Sequence, residues 1–411
     1  MPEAIRASHI VPFLGQGPAR GLESLLEPLE LIEDAVLLVS RGRIEGLESY
    51  ADFRRRAASD YALTDLGELC LAPGLVNAHC HLELSYLGGS TLSGKGFAAW
   101  LKSLVLLLRE RRDQEEARQA MVQALEEMLA AGAAHCGDVS RRMPLEISAA
   151  AASLAESMGI PYPLTHFLEC MGFTEPESGS QTARGYSPLP MGRVPLERRK
   201  SFIIAGHALY STDPKALRAA SYWCWERGRV FGLHLAESRS EHECLTSGSG
   251  PLYEVLRGSL LPFDWEAPGM SPVEYADKLQ LLTPFTLAAH CVHLSDADIE
   301  RLSLRGANVC LCPRSNEYIG VGRARAKDMA GADILLCLGT DGLCSNHDLD
   351  MQKEMRAAID FYGLPGRAVL RMATLNGAYA LGLDDLGSLT PGNAAAWCAL
   401  APDLARAVLD A

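Results

Sequence analysis

The sequence predicts a mixed α/β protein built around a closed (β/α)₈ barrel, and three observations carry that prediction. Eight short apolar segments of strand length recur along the central part of the 411-residue chain. Stretches with helical periodicity separate most of them. Eight alternating strand–helix units in one chain of this size favour a parallel sheet that closes on itself. An open doubly wound sheet stays possible, although no G-x-G-x-x-G opens any of the helices.

The alternation of predicted strands and helices in the middle of the chain is interrupted once. The candidate strands are 71–78, 133–138, 163–167, 202–206, 230–235, 286–291, 307–311 and 334–338. The clearest helical patterns are 115–131, 214–227 and 296–304. Between the fifth and sixth strands, residues 238–284 form an insertion rich in Gly, Ser and Pro. We predict that it shapes or covers an active site, and a tolerated surface insertion is an equally good interpretation.

The two ends of the chain differ from this middle part. Residues 1–68 and 385–411 contain short alternating segments with glycine turns, which are typical of β structure. We therefore expect a small composite β domain formed by both ends and a barrel domain over 69–384.

Composition and charge exclude several classes of protein. Hydrophobic residues make up 48% and charged residues 22%, which is ordinary for a soluble globular enzyme. The net charge of −13 argues against nucleic acid or an anionic membrane as a partner and leaves a small-molecule substrate. No signal peptide is recognisable and no apolar run could span a membrane, so we expect a cytoplasmic protein. The twelve cysteines are scattered without a C-x-x-C, which predicts free, buried thiols.

Polar residues follow the ends of several predicted strands. His79 and His81 alternate around Cys80 in LAPGLVNAHCHLELS, so both imidazoles face the same side of an extended strand. His234 ends the fifth strand in FGLHLAES, with Glu237 just beyond it.

Two further segments repeat this placement. His290 ends the sixth strand in LAAHCVHLSDADI, and Asp341 ends the eighth in LLCLGTDGLCSNHDLDM. Taken singly, each residue has an ordinary alternative, such as a core histidine or a turn aspartate. Together, an aspartate and three of these four histidines at the carboxyl ends of barrel strands predict a catalytic metal site with an open position.

These motifs resemble those of the amidohydrolase superfamily. The resemblance is carried by PGLVNAHCHLE, the H-x-x-E pair at His234 and Glu237, the AHC at His290 and the LGTDG at Asp341, and it extends over nearly the whole chain. Within the superfamily the chain looks like the deaminase branch that holds cytosine, guanine, methylthioadenosine/S-adenosylhomocysteine and aminodeoxyfutalosine deaminases. Binuclear members need a carboxylated lysine at the end of strand four, where this chain has His207, so the resemblance implies a single ion.

The resemblance also implies a division of roles. Four residues would hold one divalent ion, zinc by expectation and iron(II) or manganese as alternatives: His79, His81, His234 and Asp341. Three residues would be catalytic: Glu237, His290 and Asp341. In this scheme Glu237 carries a proton to a ring nitrogen and then helps the amine leave as ammonia.

Five further residues are expected to contact the substrate: His207, Glu83, Glu169, Arg314 and Asn316. Glu83 is expected on the strand face that carries His79. Two alternatives stay open, because Glu83 and Arg314 could pair with each other, and His207 and Glu169 could be structural.

The predicted reaction is hydrolytic deamination of an amino-substituted purine nucleoside. The HLELS and CPRSN segments look most like aminodeoxyfutalosine deaminases of an alternative menaquinone pathway, so 6-amino-6-deoxyfutalosine is the preferred substrate. Arg314, or Arg239 or Arg257 in the insertion, would meet its carboxylate. Methylthioadenosine, S-adenosylhomocysteine or guanine are alternative substrates, and hydrolysis of an amide or imine is an alternative reaction. A non-catalytic barrel is disfavoured because no metal ligand is missing, and a homodimer is expected from the resemblance alone.

Overall fold

A computed structural model of the chain describes residues 2–55, 60–111, 113–173 and 200–410, and within these ranges it is a mixed α/β protein. The strands are β1 (Glu3–Ile10), β2 (Ile32–Ser40), β3 (Arg43–Ser49), β4 (Ala62–Asp65), β5 (Cys70–Pro73), β6 (Leu75–Cys80), β7 (Ala133–Ser140), β8 (Leu164–Cys170), β9 (Phe202–Gly206), β10 (Phe231–Leu235), β11 (Thr286–His290), β12 (Asn308–Leu311), β13 (Leu335–Leu338) and β14 (Trp397–Leu400).

The helices follow most of these strands. They are α1 (Gly21–Leu25), α2 (Tyr50–Arg55), α3 (Phe97–Glu110), α4 (Gln114–Ala130), α5 (Pro144–Met158), α6 (Pro214–Trp225), α7 (Arg239–Ser247), α8 (Gly250–Leu256), α9 (Pro272–Lys278), α10 (Asp296–Arg305), α11 (Pro313–Ile319), α12 (Ala326–Gly331), α13 (Met351–Tyr362), α14 (Gly366–Ala373), α15 (Leu375–Leu381) and α16 (Pro402–Leu409). A 3₁₀ helix (Leu82–Leu87) follows β6.

Strands from both ends of the chain form one six-stranded sheet. Its order is β14-β5-β1-β2-β3, and β4 pairs with β1. β14 runs antiparallel to β5, with Trp397 opposite Pro73. The prediction of several strands in the tail is wrong, because β14 is followed by helix α16, which starts with Pro402 and buries Leu404 and Val408 along one face.

The first predicted strand, 71–78, is in fact two strands in two different sheets. β5 belongs to the terminal sheet and β6 to a parallel sheet, and the chain changes sheets at Gly74. A Cβ atom on this glycine would lie 2.4 Å from the Cβ of Ala134, so no side chain fits there. The apolar pattern is continuous across the break because both strands are fully buried, and periodicity alone could not reveal it.

The other strands form two four-stranded parallel sheets. Their orders are β6-β7-β8-β9 and β10-β11-β12-β13. The edges approach each other at both sides: the amide of His234 donates to the carbonyl of His207 at 2.9 Å, and the amide of Asp341 donates to the carbonyl of His79 at 3.0 Å. One hydrophobic core takes side chains from both sheets, including Phe167. The carboxyl ends of the parallel strands therefore lie close together.

About half of the insertion at 238–284 is helical, which its Gly-, Ser- and Pro-rich composition did not predict. It contains α7, α8 and α9. Ser238 and Ser271 cap α7 and α9 through their side chains, and prolines occupy the first turns of α8 and α9. Serine and proline are favoured at helix starts, so the composition that suggested a loop instead marks three helix beginnings.

The burial of the cysteines agrees with the prediction from their sequence surroundings. All twelve cysteines are free and buried, as their apolar surroundings predict. Among the described residues, no helix is long and apolar enough to cross a membrane.

Candidate active site and metal centre

The H-x-H pair lies at the carboxyl end of β6, as predicted. The ring centroids of His79 and His81 are 5.0 Å apart and their planes are nearly perpendicular. His79 is the penultimate residue of β6, and His81 follows the last one. Because successive side chains of a strand point to opposite faces, a spacing of two places both imidazoles on one side.

His234 joins this pair from β10, in the other parallel sheet. Its Nδ1 donates to the carbonyl of His207 at 2.8 Å, which directs its Nε2 toward His81. The two Nε2 atoms of His81 and His234 lie 3.1 Å apart. A backbone partner on one ring nitrogen is the usual way in which proteins orient a metal-binding imidazole.

Asp341 completes the cluster from the end of β13. Its Oδ2 accepts hydrogen bonds from the hydroxyls of Ser315 at 2.7 Å and Ser345 at 2.6 Å. Its Oδ1 lies 3.5 Å from Nε2 of His81 and 3.7 Å from Nε2 of His79. Burial opposes ionisation of Asp341, but the nearby imidazoles and the Ser345 hydrogen bond outweigh it and hold the pKa below its usual range.

These donors fit a divalent cation. Nitrogens of His79, His81 and His234 all lie within 4.8 Å of one another, and so do ligand atoms of His79, His290 and Asp341. Nε2 of His79 is buried and has no hydrogen-bond partner among the described residues. Burial lowers the pKa of His79 and His234, which favours the neutral imidazoles that bind metals.

Glu237 and His290 lie beside the cluster. The Glu237 carboxylate oxygen Oε1 is 3.8 Å from Nε2 of His290. Nδ1 of His290 is 3.0 Å from the side-chain oxygen Oδ1 of Asn316, so this nitrogen carries the proton that the amide oxygen accepts. Burial raises the pKa of Glu237 well above its usual range, and the charge of Asp341 adds to the shift. The site thus holds one carboxyl that favours its protonated form and one that favours its ionised form.

His207 and Glu169 approach the cluster from β9 and β8. The ring centroids of His207 and His234 are 5.1 Å apart, and the Nδ1 of His207 is 2.5 Å from the hydroxyl of Ser211. Burial lowers the pKa of His207 to about 3. Oε1 of Glu169 lies 4.0 Å from Nδ1 of His234, is buried, and has no hydrogen-bond partner among the described residues. Burial raises the pKa of Glu169 to about 7.

Glu83 does not lie on the strand face of the H-x-H pair, contrary to the prediction. β6 ends at Cys80, and Glu83 lies in the 3₁₀ helix that follows. Its Oε2 accepts hydrogen bonds from three consecutive backbone amides, those of residues 141–143, at 2.6–3.2 Å. The period-two pattern therefore stops at His81, and one oxygen of Glu83 holds the segment after β7.

Arg314 is not paired with Glu83, so that alternative is wrong. Its guanidinium forms two hydrogen bonds with Asp348, at 2.7 and 3.1 Å, and lies 3.7 Å from Glu354. These contacts tie the start of α11 to the loop after β13. The structure gives no support to Arg314 as a substrate contact, and Arg239 is largely exposed with Glu243 as its ionic partner.

Several residues that hold the site were not predicted from the sequence. Ser345 was missed, although it follows Asp341 by four residues in the turn DGLCS, where a hydroxyl can reach back to the carboxylate. Asn316 was predicted as a substrate contact, yet its oxygen orients His290. Its Nδ2 is buried without a partner among the described residues, so a substrate contact through that nitrogen stays a prediction.

Comparison with known proteins agrees with the geometry. Residues 257–408 match the amidohydrolase family. The chain is 31% identical over 330 residues to the 5-methylthioadenosine/S-adenosylhomocysteine deaminase of Pelotomaculum thermopropionicum, covering 78% of this chain and 69% of that protein. It is 28% identical over 380 residues to the 5'-deoxyadenosine deaminase of Methanopyrus kandleri, covering 90% and 81%.

A solved structure shares the fold. The Helicobacter pylori aminofutalosine deaminase in complex with methylthio-coformycin superposes with a TM-score of 0.76 at 21% identity, covering 99% of this chain and 95% of that one. At this identity the likeness concerns the fold.

Proposed function

On the premise that this chain belongs to the amidohydrolase family and is a hydrolase of carbon–nitrogen bonds other than peptide bonds, we propose that it is a metal-dependent deaminase of adenosine-type nucleosides. The observation that carries this proposal is the position of Glu237 beside the histidine cluster, with its Oε1 3.8 Å from Nε2 of His290. The pKa of Glu237 is raised and the pKa of Asp341 is lowered, in agreement with this arrangement. Groups whose environments push their pKa values apart are the usual acid and base of an active site.

We infer that the two parallel sheets close into one eight-stranded barrel. The hydrogen bonds between their edges and the core that both sheets share support this closure. In this arrangement the terminal sheet is a separate small β domain, and its boundary with the barrel shifts from residue 68 to Gly74, because β5 pairs with β1 and β14.

Four residues would hold the ion: His79, His81, His234 and Asp341. Zinc suits three imidazole nitrogens and one carboxylate, and iron(II) and manganese are the alternatives. When bound, such an ion supplies a nucleophile by lowering the pKa of a water molecule toward neutrality.

The protein's own groups would move the protons. Glu237, protonated at the start, donates to a ring nitrogen of the purine and makes the neighbouring carbon electrophilic. Asp341 accepts a proton from the attacking water, and His290, oriented by Asn316, stabilises the incoming oxygen. The carbon–oxygen bond forms and the carbon–nitrogen bond breaks. Of the two water protons, one passes to Glu237 and restores its protonated form, while the ring keeps the proton that Glu237 gave it. The other water proton passes from Asp341 to the amine, which leaves as ammonia.

Glu169 and His207 are proposed to bind the nucleoside. Both lie partly buried at strand ends beside His234, and neither is among the four proposed ligands. Oε1 of Glu169 has no hydrogen-bond partner among the described residues, and polar groups of this kind in a pocket orient a substrate through its ring edge or its hydroxyls. Glu83 keeps one oxygen for the same purpose, while the other is bonded to backbone amides.

Within the class of adenosine-type nucleosides we propose 6-amino-6-deoxyfutalosine as the first substrate to test. The HLELS and CPRSN segments and the fold likeness to an aminofutalosine deaminase support it. One expectation in favour of this substrate is not supported. The guanidinium of Arg314 was expected to bind the substrate carboxylate, but it contacts Asp348 and Glu354 instead. Methylthioadenosine and S-adenosylhomocysteine are the second candidates, on the strength of the 31% identical relative.

The experiment that tests the proposed chemistry is Glu237→Gln. The amide cannot donate and recover a proton as the carboxyl does, so kcat for ammonia release should fall by about 10²–10⁴-fold. Metal content should stay at the wild-type value, because Glu237 is not among the proposed ligands. A variant that keeps wild-type turnover would remove Glu237 from the acid–base role and favour hydrolysis of an amide or imine, which yields a carboxylate or carbonyl product.

A further inference from the structure

We propose that Glu241 is a positioning residue that fixes the backbone turn from which Glu237 reaches the active site. This inference rests on the acid–base role proposed for Glu237. Glu241 does not itself belong to the histidine cluster; it lies in the first turn of α7, four residues after Glu237.

Both oxygens of Glu241 are bonded to the turn. Its Oε2 accepts from the backbone amide of Glu237 at 2.8 Å, and its Oε1 accepts from the amide of Ala236 at 3.1 Å. The residue is 1% exposed, so no water competes freely for these amides. A carboxyl group whose two oxygens accept from two consecutive backbone amides fixes the orientation of both peptide planes, here those on either side of Ala236.

The turn itself is strained. Ala236 has φ +51°, in the left-handed region that residues other than glycine rarely adopt. Its carbonyl accepts hydrogen bonds from the amides of Val292 and His293, both at 2.9 Å, just after β11. The peptide groups of Ala236 thus connect the ends of β10 and β11, which carry Glu237 and His290.

A comparison with an ordinary capping carboxylate shows what is unusual about Glu241. Asp298 occupies the same position in α10, and it accepts from the backbone amide of the capping residue Ser295 at 3.0 Å. This reciprocal bond stabilises the start of α10, and the other oxygen of Asp298 accepts from the hydroxyl of Ser271, the capping residue of α9, at 2.6 Å. Glu241 instead reaches past the capping residue Ser238 to the two preceding amides. Its hydrogen bonds therefore fix the backbone of Ala236 and Glu237, outside helix α7.

The first test is Glu241→Gln. Glutamine has one acceptor oxygen and one donor NH₂ group, so one of the two amides loses its partner and faces a donor. We expect kcat to fall by about 10–100-fold, because small displacements of a catalytic group have effects of this size. KM should change by less than about threefold, since the proposed nucleoside contacts Glu83, Glu169 and His207 all lie in the other parallel sheet or directly after its strands. Metal content should equal that of the wild type, because His234 precedes the turn.

Asp298→Asn is the matched control. It removes a buried helix-capping carboxylate that is 3% exposed and has no contact with the turn. This variant should lower the melting temperature and leave kcat within about twofold of the wild type. An equal loss of kcat in both variants would overturn the proposal, because the loss would then reflect general destabilisation.

A rescue variant tests the strain directly. Glycine adopts positive φ without steric cost, so Ala236→Gly in the Glu241→Gln background should restore at least about threefold of the lost kcat. If Glu241→Gln does not fold, Glu241→Asp replaces it; this variant keeps both oxygens but withdraws them by one methylene group. Wild-type kcat in the folded Glu241 variant would overturn the proposal.

Glu237→Gln separates this inference from the proposed function. If Glu237→Gln keeps its turnover, the acid–base role fails, and the positioning role fails with it. If Glu237→Gln is inactive and Glu241→Gln is fully active, only the positioning role fails. When both roles hold, adding Glu241→Gln to Glu237→Gln lowers the residual turnover no further, because the two residues act as one unit.

Discussion

The two parallel sheets contribute to the site in different ways. The sheet β6–β9 supplies the H-x-H pair, Glu169 and His207, and the sheet β10–β13 supplies His234, Glu237, His290 and Asp341. Ala236, His290, Cys291 and Asp341, at the ends of the second sheet's strands, have positive φ. At the strand ends of the first sheet, no residue other than glycine has positive φ within the part of the chain that the structure describes.

This difference teaches how the proposed roles are divided. The strained turns of the second sheet hold the three groups proposed as catalytic, and neighbouring polar side chains fix each of them. Glu241 bonds to the backbone amide of Glu237, Asn316 bonds to the ring of His290, and Ser315 and Ser345 bond to the carboxylate of Asp341. Backbone strain persists only where the surroundings over-determine it. In the first sheet, one buried oxygen of Glu169 has no hydrogen-bond partner among the described residues, as expected of a group that binds a substrate.

The largest expected effect on kcat comes from removing a proposed metal ligand, and these ligands come from both parallel sheets. His81→Ala and His234→Ala should each lose the bound ion and lower kcat on the order of a thousandfold. Metal analysis of the purified variants checks the first effect and ammonia release the second. His135→Gln is the control, since this buried histidine of β7 bonds to Thr165 and should keep its ion. Full metal content in either ligand variant contradicts the assignment.

A smaller effect on kcat tests whether Asn316 orients His290 or binds the substrate. Asn316→Ala removes the oxygen that orients His290, so kcat should fall by about 10–100-fold while the ion stays bound. Asn316→Asp keeps an acceptor at the same place and should retain more of the activity. Steady-state kinetics decides the question: a rise in KM with unchanged kcat would instead make Asn316 a substrate contact, as the sequence suggested.

The smallest expected effect is a change in KM, and it tests whether the first sheet binds the substrate through Glu169. Glu169→Gln keeps the shape of the side chain and removes the charge that it carries above its pKa of about 7. Above that pH, KM should rise by about tenfold, the usual value of a hydrogen bond to a charged group. The kcat value should change by less than about threefold, because no proton passes through Glu169. A loss of kcat as large as that of Glu237→Gln would break the division between the two sheets.

The sequence was informative where residue type and position coincide. The positions of five residues could be predicted because each lies within three residues of the end of an apolar strand, and parallel strands bring those ends together: His79, His81, His234, His290 and Asp341. Strand periodicity also located β9 without error, at Phe202–Gly206.

The rest depends on contacts that no local pattern contains. The break at Gly74 lies between two fully buried strands, so the hydrophobic signal does not change there. The partner of Arg314 is Asp348, on a loop 34 residues away. Glu241 looks like a common helix-capping residue until its hydrogen bonds to Ala236 and Glu237 are known.

The most direct test of the account is ammonia release by the metal-replete protein. The substrates are 6-amino-6-deoxyfutalosine, methylthioadenosine, S-adenosylhomocysteine, 5'-deoxyadenosine, adenosine and guanine. The account predicts one equivalent of ammonia per nucleoside converted, with preference for an adenosine modified at its 5′ position. No ammonia from any of the nucleosides, from protein that holds its ion, would contradict it.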